Sequence, residues 1–224
     1  MIDVLVPTYG RPERMEKMYL SCKGQAGYPS EVTVHALIEP TDPKFPEYMR
    51  AKPFDRAVVP SDSLNSAAKA WNYLVDVTSN FIVHMAADDL VYVTKDWDLL
   101  VRDDFVRKPY RVLHYRDDLR DERMALNPFV TREYIKEAGF IHPDLLHFYS
   151  DTWIEDIGRR AGTLYYNPNI HIKQEHPKNG LAPMDDTYMK TRNNGIHQHD
   201  HSVWIRTEEE RARLAAKVAN SAGV

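Results

Sequence analysis

Two adjacent carboxylates, Asp88 and Asp89, follow an apolar run at residues 81–85. Such a pair repels itself unless solvent or a cation neutralises it. Oxygen ligands suit Mg²⁺ or Mn²⁺, which bind through one or two carboxylates and complete their shell with diphosphate oxygens and water. The competing reading is a strand-ending turn, where Asp is common because its side chain bonds the nearby backbone. A third acid, Asp151, stands just before Trp153, Ile154, Ile157 and Ala161, the apolar positions of an amphipathic helix. There it is either a plain N-cap or a carboxylate, kept ionised by the helix N-terminus, that can take a proton from a hydroxyl. His197, His199 and His201 alternate along the chain. On a strand they would share one face and could ligate a transition metal; in a loop they are solvated polar residues.

These residues need elements to hold them. Residues 2–7 form a short apolar run ended by Pro7, which suits a buried strand. Arg11-Pro12 opens a helix with Met15, Met18, Tyr19 and Cys22 on one face. Residues 32–38 and 57–59 read as the second and third strands. Ser63 or Asn65 could cap a helix whose apolar face is Leu64, Ala67, Ala68, Trp71, Leu74 and Val75. Residues 81–85 are the fourth strand, delivering Asp88-Asp89 at its carboxyl end. Strand–helix repetition predicts an α/β layer with a mainly parallel sheet, and ligands of such sheets sit beyond the carboxyl ends of the strands. Pro7-Thr8, Glu39 and Asp88-Asp89 all fall on that edge.

The second half is less regular. Residues 111–115 read as a strand, and 116–123, with seven charged residues in eight, as a solvated loop. A short helix from Thr131 stops at Gly139, and the Asp151 helix stops at Gly162. Residues 163–166 and 170–172 are strands around the turn Asn167-Pro168-Asn169. Thr207-Glu208-Glu209-Glu210 is a capping box leading a terminal helix.

Composition narrows the function classes. At 224 residues the chain is one large domain or one domain with an extension, and it can bury a core without staples. A lone Cys22 cannot form an intramolecular disulfide. No signal peptide and no apolar run long enough for a membrane are visible, which predicts a soluble, cytoplasmic protein without a transmembrane segment. The net charge of −4 gives no overall pull on nucleic acid.

Several motifs, taken in order, resemble glycosyltransferase family 2. Val4-Leu5-Val6-Pro7-Thr8-Tyr9-Gly10-Arg11 resembles that family's opening strand, and Ala67-Ala68-Lys69-Ala70-Trp71-Asn72 its Ala-x-Asn helix. Phe81 to Asp89 looks like the strand delivering the Asp-x-Asp motif, with Ala86 in place of the first acid. Ser150-Asp151 with Arg159-Arg160-Ala161-Gly162 resembles the Glu-Asp motif and its helix, Ser150 standing for the Glu. Asn167-Pro168 followed by His176 looks like the closing strand and the histidine after it.

The resemblance implies a GT-A fold over residues 1–176, with a nucleotide-sugar half at about 1–100, an acceptor half at about 101–176, and a C-terminal extension at 177–224. It implies an α/β, Rossmann-like enzyme that transfers a sugar from a nucleotide-sugar donor, with UDP the commonest nucleotide, to an acceptor hydroxyl with inversion. Pro7, Thr8, Tyr9 and Arg11 would line the nucleotide pocket and Glu39 would contact the base or ribose. Asn65, Lys69, Asp88 and Trp97 join that donor set. Asp88, with Asp89 and His176, would hold Mn²⁺ or Mg²⁺, and Asp151 would be the base. By their position before Asp151, His142 and His147 either line the acceptor cleft or lie on the surface. The acceptor could be a saccharide, a protein, a lipid carrier or modified DNA. A nucleotidyltransferase of related fold is the rival enzyme, but Thr8-Tyr9-Gly10-Arg11-Pro12 lacks its Gly-rich basic loop. A catalytically degenerate binding module is the rival that Ala86 keeps open.

Overall fold

The structure is a computed structural model that describes residues 1–191 and 194–224. Strand β1 (Ile2–Thr8) lies between β2 (Val32–Ile38) and β4 (Ile82–Met85), with β3 (Arg56–Val58) outside β2, all parallel. The sheet continues through β7 (Phe129–Thr131), β6 (Val112–Arg116), β8 (Leu164–Gln174) and β5 (Leu90–Tyr92). β7 is antiparallel to β4 and β6, β5 is antiparallel to β8, and β6 and β8 run parallel. The two late strands expected around Asn167-Pro168-Asn169 are one strand, β8. Its register jumps from Tyr115↔Asn167 to Arg116↔His171, so the turn residues bulge out of a continuous ladder.

Period-two burial divides β1 between two cores. Ile2, Val4 and Val6 face one with Met15, Met18 and Cys22 of α1 (Pro12–Gln25), and Leu5 faces the other. Pro12 stands at the first helical position, where its missing N–H costs nothing. The first core also takes Trp97, Val101 and Phe105 of α4 (Trp97–Val106), and Tyr48 of α2 (Phe45–Ala51). The second core is roofed by α3 (Ala67–Val77), α5 (Arg132–Ala138) and α6 (Ser150–Arg160). Residues beyond 176 also enter it. They form α7 (Asp186–Thr191), α8 (Asn194–Arg206) and α9 (Glu208–Ala222), and Val203, Ala215 and Val218 are buried beside Trp153 and Ile154.

Three local expectations change. The 116–123 segment starts as the last residue of β6 and ends in a 3-10 turn at Asp121–Arg123, and Asp117 between them is buried, its Oδ1 accepting from the N–H groups of Leu119, Arg120 and Asp121. Thr207 makes no capping box, because α8 runs directly into it and its hydroxyl donates back to the Val203 carbonyl at 2.7 Å. Histidines 197, 199 and 201 lie on helix α8 and not on a strand. At 100° per residue His197 and His201 stack one turn apart, while His199 turns away to the Asp144 carbonyl at 2.9 Å.

Gly158 fixes the distance between α6 and the sheet. A Cβ there would meet Val112 Cγ2 of β6 at 2.7 Å. Gly158→Ala should therefore cost about 1–3 kcal/mol by overpacking, although alanine is the better helix former. Thermal unfolding should show a Tm several degrees lower; an unchanged Tm would mean that α6 can lift off β6 freely.

Candidate active site

The carboxyl ends of β1, β2 and β4 open on one cleft of about 580 Å³. Pro7, Thr8, Tyr9, Arg11, Glu39, Asn65, Asp88 and Asp89 line it from the first half, and His147, Asp151, Gln174 and His176 from the second. A smaller cleft of about 340 Å³ adjoins it and shares His147, Asp151, Gln174 and His176. Eleven positions singled out in the sequence thus meet in one place with Gln174, drawn there by strand ends and helix starts.

Asp88 is held from both ends of the turn after β1. Thr8 Oγ1 donates to its Oδ2 at 2.8 Å, and the Arg11 guanidinium to its Oδ1 at 3.2 Å. Tyr48 OH lies 2.7 Å from Thr8 Oγ1 and accepts from the Arg11 N–H at 2.8 Å, which fixes the turn after β1. Burial pushes the Asp88 carboxyl up to about 6; Arg11 opposes that rise and Asp89 adds to it. Burial also works against the Arg11 charge, but Asp88 and Asp185 outweigh it and hold the guanidinium protonated.

Asp89 accepts from Tyr188 OH at 2.7 Å and, more distantly, from Gln174 Nε2 at 3.4 Å. His176 does not join the two acids as a third ligand. Its Nδ1 accepts from Lys178 N–H at 3.0 Å, capping the turn Pro177–Asn179, and its ring meets Tyr188 edge-on. Among the described residues no three His, Cys, Asp or Glu side chains gather as a ligand set. Two carboxylates are nevertheless a chemically fitting base for Mg²⁺ or Mn²⁺, whose remaining ligands are diphosphate oxygens and water.

Glu39 faces the cleft but is engaged by the protein. Its carboxylate accepts from Ser63 Oγ at 2.7 Å and from the N–H groups of Leu64 and Asn65 at 3.1 and 3.2 Å. The loop before α3 is therefore moulded on Glu39, with Asn65 at φ +50° in the cleft wall. The helix is capped by Ser66, which accepts from Lys69 N–H at 3.1 Å, and not by Ser63 or Asn65. Both of those precede the cap because Glu39 has already claimed their loop.

Two donor-set residues lie elsewhere. Lys69 projects from the solvent side of α3 and does not line the cleft. Trp97 is 0% exposed in the first core, tilted on Tyr92 at 4.7 Å, and its Nε1 donates to the Cys22 carbonyl at 3.0 Å. It is a packing residue because α4 turns its first side chain inward under β5.

Asp151 is the second residue of α6, after a Tyr149 cap whose backbone is left-handed at φ +63°. It is not the N-cap. Thr152 N–H and Oγ1 both contact its Oδ1, at 2.8 and 3.3 Å. Burial outweighs those bonds and raises its pKa above the ordinary carboxylate value. The helix terminus alone predicts the opposite sign.

Four contributors carry no motif in the sequence: Tyr48, Gln174, Tyr188 and Asp200. Asp200 of α8 is buried and accepts from the N–H groups of Leu146, His147 and Phe148 at 2.9, 2.9 and 2.7 Å. The same loop is tied to α3, since Ser66 Oγ donates to the Leu146 carbonyl at 2.8 Å. Asp200 thus pins the wall that leads into Asp151. The only sequence signal was an acid among histidines. His142 meets Trp153 edge-on, whereas His147 stays in the cleft wall, where burial lowers its pKa.

The parallel strands at the start of the sheet, the acid at the end of β4 and the cleft beside it define the GT-A fold of glycosyltransferases. Solved structures bear this out. PcManGT, a mannosyltransferase from Pyrobaculum calidifontis in complex with GDP-Man and Mn²⁺, matches with a TM-score of 0.65 at 13% identity over 99% of this chain and 74% of its own. S. aureus TarS 1-349 in complex with UDP matches at TM-score 0.59 and 10% identity over 80% of this chain and 61% of its own. GalNAc-T7 with UDP, GalNAc and Mn²⁺ gives 0.62 and 10% over 78% and 43%. This chain spans 37% of the length of another S. aureus TarS structure. No protein-family profile and no curated protein sequence matches. Among the described residues no helix is long and apolar enough to cross a membrane.

Proposed function

We propose that the protein transfers a glycosyl group from a nucleoside-diphosphate sugar, with a UDP-sugar the first to test, to an acceptor hydroxyl with inversion. The observation that carries this reading is the meeting of Asp88 and Asp151, from opposite halves of a GT-A fold, in one cleft. Thr8, Tyr9 and Arg11 form its nucleotide wall, and the loop moulded by Glu39 forms the side nearest the base and ribose. Asp151 accepts the proton of the acceptor hydroxyl while that oxygen bonds to the anomeric carbon. The bond from that carbon to the diphosphate oxygen breaks, and its electron pair leaves with the diphosphate.

Two acids beside a diphosphate repel it, so the site requires positive charge. Arg11 supplies part of it. Asp88 and Asp89 would hold Mn²⁺ or Mg²⁺, which supplies Lewis-acid stabilisation of the leaving diphosphate when bound. Neighbouring GT-A structures carrying Mn²⁺ support this choice. The single Gly10 after β1 donates its N–H to Asp42 at 2.8 Å, which leaves no phosphate-cradling glycine loop of the nucleotidyltransferase kind.

A screen of UDP- and GDP-sugars by binding and by hydrolysis, with and without Mn²⁺, tests the reading. Binding and metal-stimulated release of nucleotide are expected from at least one donor. Binding without turnover would make the protein a nucleotide-sugar-binding module, and neither would remove the glycosyltransferase reading.

A further inference from the structure

The segment from Pro183 to Tyr188 folds back across the cleft and lands on α1. Asp185 receives both arms of the Arg11 guanidinium, Nε on Oδ2 at 2.9 Å and the terminal nitrogen on Oδ1 at 2.6 Å. Arg14, one turn further along α1, lies 3.5 Å from the same carboxylate and donates to Tyr188 OH at 3.0 Å. The Tyr188 ring covers Arg11 at 4.0 Å and its hydroxyl donates to Asp89 at 2.7 Å. Thr187 Oγ1 closes the contact by donating to the Tyr9 carbonyl at 3.1 Å. Arg11 is 9% exposed and Asp185 30%, so the arginine is the buried half of the pair and the carboxylate the removable half.

The arrangement holds an anion where the donor needs one held. The planar fork of arginine grips carboxylate and phosphate in the same two-bond geometry, so a position that accepts one fits the other. With Asp185 seated, Arg11 is committed and Asp89 is covered. Both still line the cleft, but the bonds they would offer a diphosphate are taken by the strap. Resting on the donor reading above, we propose that the donor's diphosphate binds to Arg11 and Arg14 at the position the Asp185 carboxylate holds here. The Pro183–Tyr188 strap is a tethered surrogate that must leave before donor enters. Arg14 becomes a diphosphate-binding residue, and the strap lowers apparent donor affinity by the fraction of time it is seated.

Calorimetric titration of the full chain with UDP, inorganic pyrophosphate and uridine, in Mn²⁺, tests this. Asp185→Asn keeps the shape of the strap and removes its charge, so UDP and pyrophosphate should bind about five- to tenfold more tightly, with uridine unchanged. Arg14→Gln placed in the Asp185→Asn protein should then weaken pyrophosphate by roughly tenfold. Equal pyrophosphate affinity in wild type and Asp185→Asn would overturn the surrogate, and so would an equal gain for uridine. An Arg14→Gln protein that binds pyrophosphate undiminished would remove Arg14 from the site. If UDP and pyrophosphate bind neither wild type nor Asp185→Asn, the donor reading itself fails and takes this proposal with it.

Discussion

Asp151→Asn should lower glycosyl transfer by about 10²–10⁴-fold, the usual worth of a positioned general base. The amide keeps the size of the side chain and can still accept from Thr152 at the start of α6. Donor affinity should therefore stay within about twofold, because only the proton-transfer step is touched. The pH profile gives a second readout. The base works ionised, so activity falls as pH drops through its pKa. Burial raises that pKa, which moves the acid limb above the ordinary carboxylate range of about 4. A raised pKa also makes the ionised carboxylate the stronger proton acceptor. The asparagine variant should lose this limb along with its rate. Kinetics with a nucleotide sugar and its acceptor, paired with equilibrium titration of the donor, separate the outcomes. An equal loss of donor affinity would make Asp151 a donor contact or a structural residue, and an undiminished rate would put the base elsewhere.

What the sequence made legible depended on how locally each feature is specified. β1 and β4 are almost wholly buried apolar runs, and residue type alone places their ends on one sheet edge, although β1 runs through Pro7 to Thr8. Asp88 was readable because a strand end is a sequence-local event. Its setting was not, since Thr8 and Arg11 reach it across 80 and 77 residues. The α3 cap lies one to three residues beyond Asn65 and Ser63 for a similar reason. Ser63, Asn65 and Ser66 are all acceptable caps by type, and Glu39, more than twenty residues earlier, decides among them. The strap is the extreme case. Asp185 finds Arg11 at a separation of 174 residues, and nothing in its neighbours marks it as different from any solvated acid. Alternation misled at His197, His199 and His201, because period two over five residues is too short to exclude a helix. The buried stripe of α8 is signalled instead by Asp200 and Val203, at a spacing of three.

Trp97→Ala should destabilise the protein by about 3–5 kcal/mol, the range for deleting a buried aromatic side chain. The side chain touches no solvent, and three aromatic neighbours or anchors define its place: Tyr92 at 4.7 Å, Phe129 at 5.9 Å, and the Cys22 carbonyl that accepts its Nε1–H. Removing it leaves a cavity under β5 and orphans that carbonyl at the end of α1. For a chain of this size each kcal/mol moves Tm by roughly 2–4 °C, so a drop on the order of 10 °C is expected in a thermal melt. Position after the acid pair puts Trp97 in the donor set; its place in the fold makes a different claim, and the two can be separated. Trp97→Phe keeps a ring in the core and gives up the indole hydrogen bond, so it should lower Tm by less than the alanine variant. A residue that only packs leaves sugar-nucleotide affinity unchanged in that folded variant. A platform would lose affinity for the nucleotide sugar while retaining it for the bare nucleotide. The packing assignment expects equal dissociation constants for both ligands before and after the change, and a selective loss for the sugar nucleotide would return Trp97 to the donor site.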